Sequence, residues 1–234
     1  MKWAYGVTTV PSRLHDLLPQ TLRSLAAGGF DKPRLFVDGA RRPVPWELKC
    51  PGLEVTTRYP TIKTWGNWVL SLYELYIREP GADRYAMFQD DLVTYKNLKD
   101  YLEHRPLPAR GYLNLYTFPS NQQLAGERRG WFESNQMGRG AVGLVFGREF
   151  VTTLLRQPLI VDKPQDCHRG MRSVDGAVVC AMKPLGWIEY THNPSLLQHT
   201  GIVSSMRSNP HLQAESFAGE EFDAMELTKE VTIA

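Results

Sequence analysis

Apolar and β-branched residues run almost unbroken from position 3 to position 10 and stop at Pro11, the pattern of a buried strand. Leu18, Leu22 and Leu25 then recur at helical spacing, and Gly28-Gly29 closes that run. Pro19 fits the first turn of this helix, where its missing N–H costs nothing. Residues 34–37 read as a second strand, ending in Asp38-Gly39. The result is a β-α-β opening in about 35 residues, the start of an α/β fold. Residues 55–59 predict a third strand. Residues 64–77 predict a helix with Trp65, Trp68, Val69, Leu72, Tyr73 and Tyr76 on one broad apolar face. Those aromatics suit core packing, whereas Asn67 among them can face the sheet edge. Pro80-Gly81 stops that helix, and residues 85–88 read as a buried strand running straight into Gln89-Asp90-Asp91.

Further on, residues 98–102 predict a short helix and 112–116 a strand. A long loop over 119–139 follows, then a glycine-rich strand over 138–147 and a helix over 149–155. A polar loop at 165–170 leads to a helix capped by Ser173, with Asp175 in its first turn. Residues 187–190 form a late strand. The order predicts an α/β protein with a mixed, mainly parallel sheet flanked by helices. One catalytic domain is expected over 1–210, with an acidic, loosely held tail over 211–234.

Composition narrows the class. The 234 residues are 42% hydrophobic and 22% charged, enough for a sizeable core. Three widely spaced cysteines, Cys50, Cys167 and Cys180, form no C-x-x-C pair and point to a reducing compartment. Pro11 comes too soon for a signal-peptide core, and no apolar run approaches the roughly 20 residues of a membrane helix. A soluble, cytoplasmic protein is expected. Residues 211–234 hold six acids and one lysine, so the rest of the chain is net positive although the whole is only +2. A basic body suits a polyanionic partner.

The chemistry gathers at Asp90-Asp91. Adjacent carboxylates at the carboxyl end of a buried strand stand where open α/β sheets bind ligands. They repel each other unless a cation intervenes, and a hard divalent ion holding phosphate oxygens is one answer. A helix cap and a solvated turn acid are the other reading. No G-x-G-x-x-G follows the first strand and no Walker lysine motif appears, so phosphates must be held by other means. In the 119–139 loop, Arg128 and Arg129 precede Trp131, and Arg139 follows, a mixture suited to anion contact and base stacking. Asp175 suits either helix capping or catalysis. His199 sits in the polar, glycine-ended stretch Pro194-Ser195-Leu196-Leu197-Gln198-His199-Thr200-Gly201.

This succession resembles the GT-A glycosyltransferases over most of residues 3–203, most specifically in its late P-S-L-x-Q-H-x-G stretch. The resemblance implies that Thr8, Thr9, Arg13 and Asp38 hold the base and ribose of a UDP-sugar, with Asn67, Gln89 and Asp90 near the donor. Gln89-Asp90-Asp91 falls at the family's D-x-D position, with Gln replacing the first Asp. It further implies that Asp91 and His199 bind Mn²⁺ or Mg²⁺, and that Asp175 is the base of an inverting transfer. The residue 3–11 opening, the Arg34-Leu35-Phe36-Val37-Asp38-Gly39 strand and the compact size are similar to phage enzymes that glycosylate 5-hydroxymethylcytosine in DNA. On that reading the protein works in the host cytoplasm, and Arg128, Arg129, Trp131 and Arg139 meet the DNA acceptor. A bacterial glycosyltransferase of surface-polysaccharide synthesis shares the same core. A non-catalytic nucleotide-sugar or nucleic-acid binding module would not need Asp91, Asp175 and His199 together. A nucleotidyltransferase would normally carry a glycine-rich, lysine-containing loop after the first strand.

Overall fold

The computed structural model describes residues 1–41, 52–161, 174–201 and 212–231. Among these, eight strands form one sheet: β1 (Trp3–Thr9), β2 (Arg34–Asp38), β3 (Val55–Arg58), β4 (Arg84–Gln89), β6 (Gly111–Asn114), β7 (Gly130–Glu133), β8 (Gly143–Gly147) and β9 (Ile188–Asn193). Their order is β3-β2-β1-β4-β8-β6-β9-β7. The first four are mutually parallel, β8 runs antiparallel to both β4 and β6, β9 returns parallel to β6, and β7 closes the edge antiparallel to β9. The expected mixed, mainly parallel sheet is present.

Both faces of the sheet are covered, as parallel strands require. Side chains alternate along β4: Ala86 and Phe88 join one buried cluster, Tyr85 and Met87 the other. The first cluster takes in Leu18 and Leu25 of α1 (Leu17–Ala27) and Leu98, Tyr101 and Leu102 of α3 (Leu98–Glu103). The second takes in Trp68, Val69, Leu72 and Leu75 of α2 (Lys63–Arg78). It also holds residues of α5 (Arg148–Leu154), α6 (Pro158–Val161) and α7 (Val174–Met182). Trp68 meets Phe146 edge-on with ring centroids 6.1 Å apart, and Trp68, Val69 and Leu72 of the face read from residues 64–77 are core; Trp65 and Tyr76 are half-buried at its margin, whereas Tyr73 is exposed. Pro19 lies in the first turn of α1, as expected.

Four expectations are corrected. The glycine-rich strand begins only at Gly143, because Gly138 and Gly140 take φ of +59° and +80°, which a strand does not accommodate. The 119–139 segment is not one loop: it holds α4 (Pro119–Ala125) and β7. Two short strands were not anticipated, β5 (Leu92–Thr94) and β10 (Leu197–His199), which pair antiparallel as a separate ribbon.

Finally, the acidic segment is not loose. Ala214, Ala224 and Leu227 are buried in the core, and Phe217 stacks on Tyr95 at 4.7 Å with rings 5° from parallel. Lys96 N–H donates to Phe222 O, and Ala224 N–H donates back to Lys96 O. The amide of Gln198 both donates to Ala214 O and accepts from its N–H, at 3.0 and 2.9 Å. The Ser173 cap, the 165–170 loop, Cys50 and Cys167 lie outside the described residues; Cys180 is an exposed free thiol.

Candidate functional site

Chain order reverses across β1. From β1 the chain winds outward through β2 and β3, then returns to β4 on the opposite side. The crevice at the carboxyl ends of β1 and β4 is therefore a topological switch point, where side chains of two diverging loops face one another. Thr9 ends β1, Pro11–Arg13 form a single 3-10 turn just beyond, and Gln89-Asp90-Asp91 end β4.

At this crevice Asp90 and Asp91 are 3% and 1% exposed. Arg13 bridges them: one Nη1 lies 2.6 Å from Asp90 Oδ1 and 2.7 Å from Asp91 Oδ2. Thr9 Oγ1 donates to Asp90 Oδ2 at 2.5 Å. Burial pushes the Asp90 carboxyl above its ordinary range; Arg13 and Thr9 pull against that, while the Asp91 charge adds to it. Burial draws the Arg13 guanidinium down, but the two carboxylates more than offset it and hold its pKa above the usual value. Asp91 Oδ1 is buried without a hydrogen-bond partner.

His199 comes to this point through the ribbon. It stands opposite Leu92, and Thr200 N–H continues the ladder to Asp91 O at 2.8 Å. The other edge of β5 is closed by α1: Thr21 Oγ1 bonds both Leu92 O and Leu92 N–H, and Ser24 Oγ accepts from Thr94 N–H. This pairing on both sides fixes Asp91 against β10. His199 Nε2 lies 3.7 Å from Asp91 Oδ2, and Nδ1 accepts from Gly201 N–H at 3.2 Å. A Cβ at Gly201 would sit 2.9 Å from Asp91 Oδ2, so only glycine lets the backbone pass this close.

Among the described residues no group of three or more His, Cys, Asp or Glu is arranged to hold a metal. The donors that are present still fit a hard cation. Asp91 Oδ1 is an orphaned carboxylate oxygen, and the nearby Thr200 Oγ1 is likewise buried without a partner. Magnesium-type sites commonly use one or two carboxylates and complete their shell with phosphate oxygens and water. His199 fits less simply. With Nδ1 accepting from Gly201, the neutral ring carries its hydrogen on Nε2, so ligation through Nε2 requires that backbone bond to be given up.

Asp175, 8% exposed in the first turn of α7, reaches the same sheet edge through the 138–142 segment that leads into β8. Its Oδ2 accepts from Gly140 N–H in a short hydrogen bond, and its Oδ1 accepts from Gly176 N–H at 2.9 Å. A Cβ on Gly140 would collide with the Tyr116 ring, which also meets His199 edge-on at 6.4 Å. The path from base candidate to carboxylate pair thus runs Asp175, Gly140, Tyr116, His199, Asp91.

Beneath Asp175 lies a group not anticipated from sequence. Glu189 is 1% exposed and accepts from Ser134 Oγ (2.6 Å), Tyr112 Oη (3.2 Å) and Asn114 Nδ2 (3.3 Å). Burial raises its pKa to about 7; these hydrogen bonds lower it and the Asp175 charge raises it. Asn114 Nδ2 also donates to Arg139 O, so the Glu189 cluster braces the loop that carries Gly140. The sequence carried no hydrophobic alternation to mark it: Glu189, Thr191, His192 and Asn193 are buried polar residues of β9, while Ile188 and Tyr190 are half-buried.

The remaining candidates spread along the edge. Asp38 Oδ1 accepts from Ile62 N–H and Oδ2 from Lys63 N–H and Thr61 Oγ1, so it ties the start of α2 to β2. Asn67 is buried, donating to Phe36 O and accepting from Arg58 Nε. Thr8 Oγ1 donates to Phe88 O, and Gln89 is half-buried with its N–H on Val142 O. Arg139 is exposed and stacks over Phe118. Trp131 packs edge-on against His192 at 4.9 Å, with a buried indole N–H that has no acceptor. Arg128 and Arg129 are exposed beside β7, four strands from β4 and hence about 19 Å along the sheet. Arg129 helps line a polar cavity of about 400 Å³ with Gln122, Glu127, Asn193 and Ser216. The structure therefore brings together Thr9, Arg13, Asp90, Asp91 and His199, links Asp175 to them, and leaves Arg128 and Arg129 apart.

No protein-family model matches this chain, and no curated protein matches it by sequence. Solved structures do. A GalNAc-T7 structure with UDP, GalNAc and Mn²⁺ superposes with a TM-score of 0.59 at 8% identity, over 97% of this chain and 48% of that one. The catalytic domain of Drosophila β1,4-galactosyltransferase 7, in complex with xylobiose, gives 0.51 at 13% identity, over 98% and 80%. A nucleotidyl transferase from Methanothermobacter gives 0.52 at 14% identity, over 83% and 88%. At such identities the likeness is one of fold, and the fold of this chain is the GT-A-like α/β fold that glycosyltransferases and nucleotidyltransferases share.

Proposed function

We propose that this protein is a nucleotide-sugar-dependent glycosyltransferase that moves a sugar from a UDP-sugar to an acceptor hydroxyl, with inversion, aided by Mn²⁺ or Mg²⁺. The observation that carries this reading is the buried Asp90–Asp91 pair at the β1/β4 switch point, with Asp91 Oδ1 unsatisfied and Asp175 on the same sheet edge. The presence of UDP, a sugar and Mn²⁺ in the GalNAc-T7 structure supports it by analogy.

A divalent cation on Asp91, with His199 beside it, would neutralise the leaving diphosphate as a Lewis acid. Thr8, Thr9, Asp38, Asn67, Gln89 and Asp90 lie along the carboxyl ends of β1, β2 and β4, or on the helix beside them, where base, ribose and donor sugar would be held. Asp175 takes the proton of the acceptor hydroxyl as that oxygen bonds to the anomeric carbon, and the bond from that carbon to the diphosphate breaks, releasing UDP. Two backbone N–H donors, from Gly140 and Gly176, hold the Asp175 carboxylate in place for that task.

For the acceptor we propose 5-hydroxymethylcytosine in DNA. The net-positive body supports it, as do the exposed Arg128, Arg129 and Arg139 spread along one edge, which could track a backbone around a flipped base, with Trp131 beside them. A nucleotidyltransferase reading is favoured by the Methanothermobacter superposition. The deciding experiment incubates the protein with labelled UDP-sugars and hydroxymethylated or unmodified duplexes, with Mn²⁺ or with EDTA. The expected result is UDP release and label on hydroxymethylated DNA, abolished by chelation. Conversion of UDP-sugar and added pyrophosphate to UTP and sugar 1-phosphate, in place of UDP release, would overturn glycosyl transfer. Full activity after exhaustive chelation would remove the metal, and UDP release without labelled DNA would remove this acceptor.

A further inference from the structure

Arg13 stands where an incoming cation would stand. Its Nη1 lies within 2.7 Å of an oxygen on each of two carboxylates whose side chains are 4% and 2% exposed, while its own is 13% exposed. Two adjacent buried carboxylates need positive charge between them, and Arg13 supplies one unit. A divalent ion added beside it would bring two cations within a few ångströms in a poorly screened crevice. The guanidinium also leaves the cluster incomplete. Asp90 is satisfied on both oxygens, by Thr9 and Arg13, but Asp91 Oδ1 has no partner.

We propose that Arg13 is a displaceable counter-ion: it pairs Asp90 and Asp91 while nucleotide is absent, opposes binding of a divalent cation on its own, and yields Asp91 to the cation when a diphosphate arrives to receive the guanidinium. The proposal rests on the glycosyltransferase reading above. Three features make the exchange feasible. Arg13 ends a single 3-10 turn at the switch point, where a diphosphate would lie. Its planar fork matches phosphate oxygens as well as carboxylates. Thr9 keeps its bond to Asp90 after Arg13 moves, so one carboxylate stays anchored. Cation and nucleotide then bind with positive coupling, because each removes the obstacle to the other.

The test is Mn²⁺ binding by titration calorimetry, with and without UDP, on wild-type protein and Arg13→Gln. Wild type is expected to bind Mn²⁺ about tenfold more tightly in the presence of UDP. Without UDP, Arg13→Gln is expected to bind Mn²⁺ about tenfold more tightly than wild type and to gain little from the nucleotide. Removing Arg13 leaves two buried charges unpaired, so an Arg13→Gln, Asp90→Asn double variant, one charge fewer and with Asp91 intact, serves if the single variant does not fold. Its melting temperature should rise more with Mn²⁺ than that of wild type. Mn²⁺ binding by wild type that the Arg13 variants do not strengthen overturns the counter-ion role and leaves the transferase reading standing. Absence of Mn²⁺ binding by wild type even with UDP bound overturns both.

Discussion

Asp175 is held differently from an ordinary capping acid. A helix cap needs one acceptor oxygen, whereas both Asp175 oxygens are engaged, one by its own helix and one by Gly140 from a separate loop. That second bond aims the carboxylate at the sheet edge. Asp175→Asn should lower kcat by roughly 10³-fold while UDP affinity, read by calorimetry, stays unchanged. Turnover near the wild-type rate would remove Asp175 as the base. The neighbouring carboxylates behave otherwise: Asp90 is saturated by Thr9 and Arg13, and Asp91 keeps one oxygen open. The resemblance had assigned them different partners, the cation to Asp91 and the donor to Asp90, but the sequence did not show what holds each in the fold. Their difference comes from Arg13 and Thr9, which lie 77 and 81 positions away in the chain.

The elements most consequential for the site are the smallest. The β5–β10 ribbon holds three residues per strand, too few for alternation to declare a strand, yet it sets His199 beside Asp91. The ribbon is in turn clamped by the acidic segment, through Gln198 to Ala214 and through Ser216 Oγ accepting from Ser195 N–H. Net negative charge had suggested a loose tail. Phe217 and Phe222, both packed against Tyr95, outweigh that charge because stacked aromatics bury large apolar area. Phe217→Ala should cost about 2 kcal/mol in urea unfolding, below the usual loss for a fully buried Phe because Phe217 is only half-buried. An unchanged unfolding midpoint would mean that the segment contributes nothing to the fold.

Stability of the whole molecule should respond to pH through two buried groups with opposite signs. Glu189 has its pKa raised by burial from 4.5 to about 7, so the native state keeps that proton longer than the unfolded chain and loses stability as pH rises across this interval. His192 has its pKa lowered by burial from 6.5 to about 4, so the native state resists protonation and loses stability as pH falls across that interval. Between 4.5 and 6.5 the two slopes oppose each other. Glu189→Gln removes one of them. Its stability relative to wild type should improve by about 3 kcal/mol between pH 4 and pH 8, as read from urea midpoints. A difference independent of pH would show that Glu189 does not titrate in that interval. No helix among the described residues is long and apolar enough to cross a membrane.

Local pattern by itself determined the β-α-β opening, the α2 face apart from Tyr73, the β4 strand ending in Asp90-Asp91, and the α7 helix carrying Asp175. Each rests on a period or a stop signal contained within about a dozen residues. Tertiary structure alone decided the strand order that places the switch point between β1 and β4, because pairing depends on which faces must be buried and not on spacing. It also decided that Arg13 bridges the carboxylates, that Gly140 reaches Asp175, and that Glu189 lies beneath them. All three are contacts between residues 35 to 78 positions apart, whose strength comes from a low-dielectric interior that exists only once the chain has closed around them.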